Sequence, residues 1–249
     1  MLVSTKRVGH VLLMSMGRED KRNAINRELA DAIDEALNSL DDDKELWAGV
    51  LTGTSNVFSA GSDLNAAGDY YTARGGEYGI IRRERKKPLI AAVEGAALGG
   101  GLEIVLSCDL VVASNTARFG LPEVGIGVIP TCAALFRAPR SFPLNLAREL
   151  ILTGKPIDAA RAFSVGFVNV LTESGDAANR AVDLANQICA NAPLSVQASL
   201  AVVNGIVGSD DDFGWEATSR AFASLQGTRD MAEGVRSFLE KRTPIWSGE

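Results

Sequence analysis

A chain of 249 residues with a formal net charge of −6 lacks the broad basic surface that non-specific nucleic-acid binding requires. Its one histidine, His10, and three widely spaced cysteines, Cys108, Cys132 and Cys189, leave no basis for a histidine triad, a metal centre or a disulfide framework. Acid/base work therefore falls to carboxylates.

In chain order, the N-terminus runs directly into strand-like sequence, without a signal-peptide apolar region, and no apolar run approaches the roughly 18 residues of a membrane span. A cytoplasmic protein with no membrane partner is the expectation. Residues 11–14 read as a short strand, and His10 beside them as structural. Residues 26–40 place Leu29, Ile33, Leu37 and Leu40 at helical spacing, and Asp41-Asp42-Asp43 reads as a solvated turn ending that helix. Residues 47–51 read as a buried strand. The basic run 82–87 reads as the end of a helix, where cations suit the dipole, with phosphate contact as the alternative. Residues 89–93 and 110–113 read as strands, with a glycine-rich turn and a helix over 102–108 between them. Strand, turn, helix and strand at this spacing indicate an α/β core. From Asp158 onward the pattern is mostly helical, with amphipathic segments at 177–190, 194–207 and 230–241. The division expected is a core over 1–190 and a helical region over 191–249 that packs against neighbouring subunits.

Two glycine-rich turns stand out: Phe58-Ser59-Ala60-Gly61-Ser62-Asp63-Leu64, and Gly95-Ala96-Ala97-Leu98-Gly99-Gly100-Gly101-Leu102-Glu103. Glycine permits close backbone approach to a ligand, and a helix beginning near Gly100 presents unpaired N–H groups. Donors converging from two such turns suit an oxyanion hole. The spacing is not a dinucleotide fingerprint. Glu103 sits in the first turn of an apolar helix, and Glu123 in the apolar loop Phe119-Gly120-Leu121-Pro122-Glu123. Desolvation in such surroundings raises a carboxyl pKa, and two carboxyls in one cleft can divide acid and base duties.

These motifs, taken together, closely resemble the enoyl-CoA hydratase/isomerase (crotonase) superfamily over 88–130, and with less force over the whole chain. The resemblance implies a crotonase-like spiral of ββα units with a helical C-terminal region, assembled as a homotrimer or homohexamer. It implies an acyl-CoA thioester as substrate and no cofactor apart from the coenzyme A that the substrate carries. The family's two oxyanion amides match Ser62 and Gly100, and its two catalytic glutamates match Glu103 and Glu123. Arg22 and Ala24 lie in Arg-Asn-Ala-Ile, similar to a segment along the CoA moiety; Ala60, Asp63 and Leu64 flank the first turn; Lys241 lies in a tail resembling the family's; Thr131 follows the Glu123 loop. All seven are candidates for substrate or CoA contact. Three departures are Glu19 for a usual proline, Asn65 for a frequent lysine, and Thr131-Cys132-Ala133-Ala134 for a glycine-rich run, which bears on the acyl pocket. Cys132 has no histidine partner and is not read as a nucleophile. The expected reaction is reversible hydration of a 2-enoyl-CoA. A carnitinyl-CoA dehydratase-like reaction, an isomerase and a non-catalytic acyl-CoA binder are the alternatives.

Overall fold

The computed structural model describes residues 1–66 and 68–249. Strands β1 (Val3–Val8) and β2 (Val11–Met16) form an antiparallel hairpin. His10 in its turn is structural, its ring stacked on Trp47 with centroids 3.6 Å apart. Helix α1 (Arg27–Asp42) begins at an N-cap, because the Asn26 side chain accepts the Leu29 N–H at 3.1 Å. Its Leu29, Ile33, Leu37 and Leu40 are buried, as their spacing requires.

The middle of the chain repeats one unit. Strand β3 (Ala48–Thr52) leads to β4 (Val57–Ser59), followed by a small hairpin of β5 (Tyr71–Thr72) and β6 (Gly76–Glu77). Strand β7 (Leu89–Val93) leads to β8 (Ala96–Leu98) and helix α2 (Gly100–Val105). Strand β9 (Leu110–Ser114) leads to β10 (Arg118–Gly120) and a 3-10 turn, Pro122–Ile126. Helices α3 (Ala134–Ser141) and α4 (Leu144–Thr153), strand β11 (Ile157–Asp158), helix α5 (Ala159–Ser164) and strand β12 (Val170–Thr172) follow. The chain ends in helices α6 (Ala177–Cys189), α7 (Pro193–Val207), α8 (Asp211–Leu225) and α9 (Arg229–Leu239).

In each unit the first strand joins a six-stranded sheet, ordered β1-β2-β3-β7-β9-β12, and the second joins a four-stranded sheet, ordered β11-β10-β8-β4. Successive units advance one place in both sheets, with parallel neighbours throughout. The chain thus winds as a spiral of ββα units. Helix α6 covers one face of the large sheet, its Ala177, Ala181 and Ala185 against Val50, Ile90, Ala92 and Val112. The other face belongs to a second core with α1, Phe58, Leu102, Ile104 and Phe119. Strands buried on both faces read as continuous apolar runs, which is why β3 and β7 were legible.

Several expectations are corrected. Residues 82–87 are not a helix end, and their cations turn inward at every second position. Arg83 pairs with Asp34 and Asp41 (2.5 and 2.8 Å), and Arg85 with Asp109 at 2.8 Å. The Lys87 ammonium donates to the Leu40 and Asp43 carbonyls, both at 2.7 Å, closing the end of α1. These three charges are committed to internal partners. Asp41 is likewise an ion-pair partner and not a solvated turn residue. The segment 96–98 is a strand, not part of a turn. Helix α7 has no buried residue and is apolar on several sides rather than amphipathic: Leu194, Val202, Val203, Ile206 and Val207 are all exposed. Among the described residues no single helix is long and apolar enough to cross a membrane; α6 and α7 reach that length only together, and they meet at 106°.

Candidate active site

The four-stranded sheet explains how distant motifs meet. Its parallel strands β4, β8 and β10 deliver, from their C-terminal ends, the turn at 60–64, the start of α2 and the 3-10 turn carrying Glu123. Ligand sites in parallel sheets form outside such strand ends.

The first two segments touch. A Cβ built on Gly61, whose φ is +97°, would lie 2.8 Å from Leu98 O and 3.1 Å from Gly100 N, so only glycine allows the turns to approach. The first turn is laced to 22–25: Ala60 N–H donates to Arg22 O, Ile25 N–H to Gly61 O and Asp63 N–H to Ile25 O, at 2.8–3.0 Å. The Ser62 amide stays outside this ladder. Gly100 opens α2, where an N–H has no intrahelical acceptor. Two backbone donors are thereby left for a ligand oxygen.

Both glutamates stand at the same helix start. Glu103 is buried at 2% exposure, and its Oε1 accepts the N–H groups of Cys132 (2.8 Å) and Ala134 (3.1 Å). Burial pushes its pKa up to about 7, against the pull of those two amides. The Glu123 Oε1 would lie 3.2 Å from a Cβ on Gly99, which places this carboxyl over the first residues of α2. Its Oε2 is buried and, among the described residues, has no hydrogen-bond partner. Burial and then the nearby Glu103 charge push Glu123 up to about 8. An acid poised near neutral pH beside a carboxyl with an orphaned oxygen can move protons at adjacent substrate atoms.

The remaining sequence candidates fall into two groups. Arg22 is exposed with φ 51°, Ala24 and Ala60 are half-buried, and Leu64 is exposed on the turn after Asp63. Asp63 is engaged: Arg18 pairs with it at 2.8 Å and holds its carboxyl below the ordinary range. Thr131 is half-buried beside Cys132, whose thiol burial pushes well up, in keeping with a non-nucleophilic group. Lys241 stands exposed beyond α9, a helix that packs on the Glu123 turn of its own chain.

Sequence reasoning missed several contributors. Arg18 also donates to Ala24 O at 2.6 Å, and the buried Asn23 donates to Phe58 O at 2.9 Å, joining 18–24 to the first turn. The run 131–134 acts through its backbone, as the receptor for Glu103. Tyr78, whose hydroxyl lies 2.7 Å from Ser62 Oγ, sits in an irregular stretch that gave no signal.

The profile of the enoyl-CoA hydratase/isomerase family matches residues 6–249. The chain belongs to the enoyl-CoA hydratase/isomerase family. It is 35% identical over 248 residues to a short-chain-enoyl-CoA hydratase of Clostridium acetobutylicum, covering 96% of this chain and 95% of that protein. It is 34% identical to the 2,3-dehydroadipyl-CoA hydratase of Escherichia coli, covering 96% and 95%. The crystal structure of a carnitinyl-CoA hydratase from Mycobacterium avium superposes with a TM-score of 0.94 at 40% identity, covering 100% of this chain and 99% of that one. The spiral fold and the helical C-terminal part are those of this enoyl-CoA hydratase/isomerase family.

Proposed function

We propose that the chain is an enoyl-CoA hydratase, adding water reversibly across the double bond of a 2-enoyl-CoA thioester. The observation that carries this reading is the unequal glutamate pair at the start of α2. Glu103, relaxed by two amides, is the more readily ionised; Glu123, with an orphaned oxygen, holds its proton more tightly. Two carboxyls driven apart in this way divide base and acid roles. Glu103 takes a proton from water as its oxygen bonds to C3, the double-bond electrons move toward the thioester carbonyl, and Glu123 delivers a proton to C2. The Ser62 and Gly100 amides hold the thioester oxygen as it gains charge, a donor of this type contributing about 2.7–4 kcal/mol. Arg22, Ala24, Ala60, Asp63, Leu64, Thr131 and Lys241 remain the candidates along the CoA and acyl path. The reaction calls for no cofactor beyond the substrate's own CoA.

The likeness to carnitinyl-CoA hydratase favours a second reading, in which the same pair works on a 3-hydroxyacyl-CoA with a polar acyl group. A panel of straight-chain and polar 2-enoyl-CoA and 3-hydroxyacyl-CoA thioesters, with products identified by mass, separates the two. Gain of one water by straight-chain 2-enoyl-CoAs supports the first reading; double-bond migration without water uptake, or binding without turnover, contradicts it.

We further propose that region 191–249 mediates assembly into a homotrimer or homohexamer. The support is the apolar surface α7 leaves exposed.

A further inference from the structure

Tyr78 combines three features that burial alone does not require. It is a bulky residue in the left-handed region, φ 56°, a conformation that persists for such a side chain only when its surroundings impose it. Its hydroxyl shares a hydrogen bond with Ser62 Oγ at 2.7 Å, so it grips the first turn. Its ring lies against the second: a Cβ on Gly100 would meet the Tyr78 hydroxyl at 2.6 Å and the ring carbons at 2.8 and 2.9 Å. The ring is backed by Tyr70, centroids 4.6 Å apart, and its own amide is anchored on Tyr70 O at 2.9 Å. At 2% exposure it cannot swing aside without opening the core.

We infer that Tyr78 is a positioning residue for the oxyanion hole, its phenol spanning the two turns so that the Ser62 and Gly100 amides keep the separation a thioester oxygen needs. The inference rests on the assignment of those two amides as the oxygen's donors. The turns come from different units of the spiral: β4 and β8 pair only as far as Ser59 and Ala97, and beyond that point the backbones meet at Gly101 against Ser59 and at Gly61 against Leu98 and Gly100, contacts that fix their approach but not the aim of the two amides. Donors must stand 2.7–3.1 Å from the oxygen in its charged form, and a displacement of about 1 Å can cost about 100-fold in rate. A hydroxyl bond on one turn and a ring face on the other remove that freedom.

Tyr78→Phe deletes the hydroxyl and keeps the ring; Ser62→Ala deletes its partner and keeps the amide. The probe is a cinnamoyl-type CoA thioester, whose absorption moves to the red as the oxyanion hole polarises its carbonyl. Wild type is expected to give a red shift on binding. Tyr78→Phe is expected to lose much of that shift and about 10- to 100-fold in kcat with little change in KM. Ser62→Ala should behave alike, and the double variant much as Tyr78→Phe does, since the bond between Tyr78 and Ser62 is already lost in either single variant. If Tyr78→Phe does not fold, Ser62→Ala alone is read against the same expectation. A wild-type shift retained in full by the folded variants, or additive losses in the double, overturns the inference alone. No shift with wild type overturns the amide assignment and the inference with it.

Discussion

Two glutamates of the same chemistry both have raised pKa values here, chiefly through burial, and what their oxygens meet then sets them apart in role. Glu103 lies deeper, yet the Cys132 and Ala134 amides stabilise its charged form, leaving it near 7. Glu123 is pushed to about 8 by burial and then by the charge of nearby Glu103, and its Oε2 finds no donor among the described residues. Both values exceed the ordinary 4.5, so the protonated pair favours the folded chain below that pH, and this advantage is lost as pH rises through about 7 and 8. Sites that hold carboxyls in this way spend stability on function. The proposed division of roles has Glu103 charged and Glu123 protonated in the active form. The pH profile of kcat/KM for hydration is therefore expected to be a narrow bell, rising near pH 7 and falling near pH 8. A flat profile from pH 5 to 10 would contradict the division of roles. Both glutamates were legible in the sequence, as charges in apolar surroundings. What tunes them was not, because backbone amides from 131–134 carry no side-chain signature.

At the scale of elements, what could be read depended on length and on where a pattern repeats. Helix α1 shows four apolar residues at helical spacing behind an Asn cap, and β7 is five apolar residues after a proline. Strands β4, β8 and β10, which aim the two glycine-rich turns and both glutamates, are three residues each, too short for a period to emerge. They could be read only as parts of two glycine-rich turns and of the apolar loop around Glu123. The basic run 82–87 misled for a different reason: its charges alternate inward and outward, and their partners Asp34, Asp41 and Asp109 are far away in sequence. Tyr78 was invisible because it acts through contacts that join the turn of its own unit to the turn of the next.

For the whole molecule, the spiral brings one strand end per unit to a common edge, and α9 returns to brace the Glu123 turn. Helix α7 remains uncovered, its exposed leucine, valine and isoleucine side chains forming a surface that water alone does not suit. Sedimentation at micromolar concentration is expected to give the mass of three or six chains, and Val202→Glu with Ile206→Lys on α7 to shift it toward one; a monomer in the native chain would refute the assembly. The most direct measurement is hydration of a short 2-enoyl-CoA by Glu103→Gln and Glu123→Gln, each checked for native circular dichroism and thermal melting. Each substitution is expected to lower kcat about 100- to 10,000-fold. Folded variants that both hydrate the thioester at near-native rates would contradict the assignment of this pair as its acid and base.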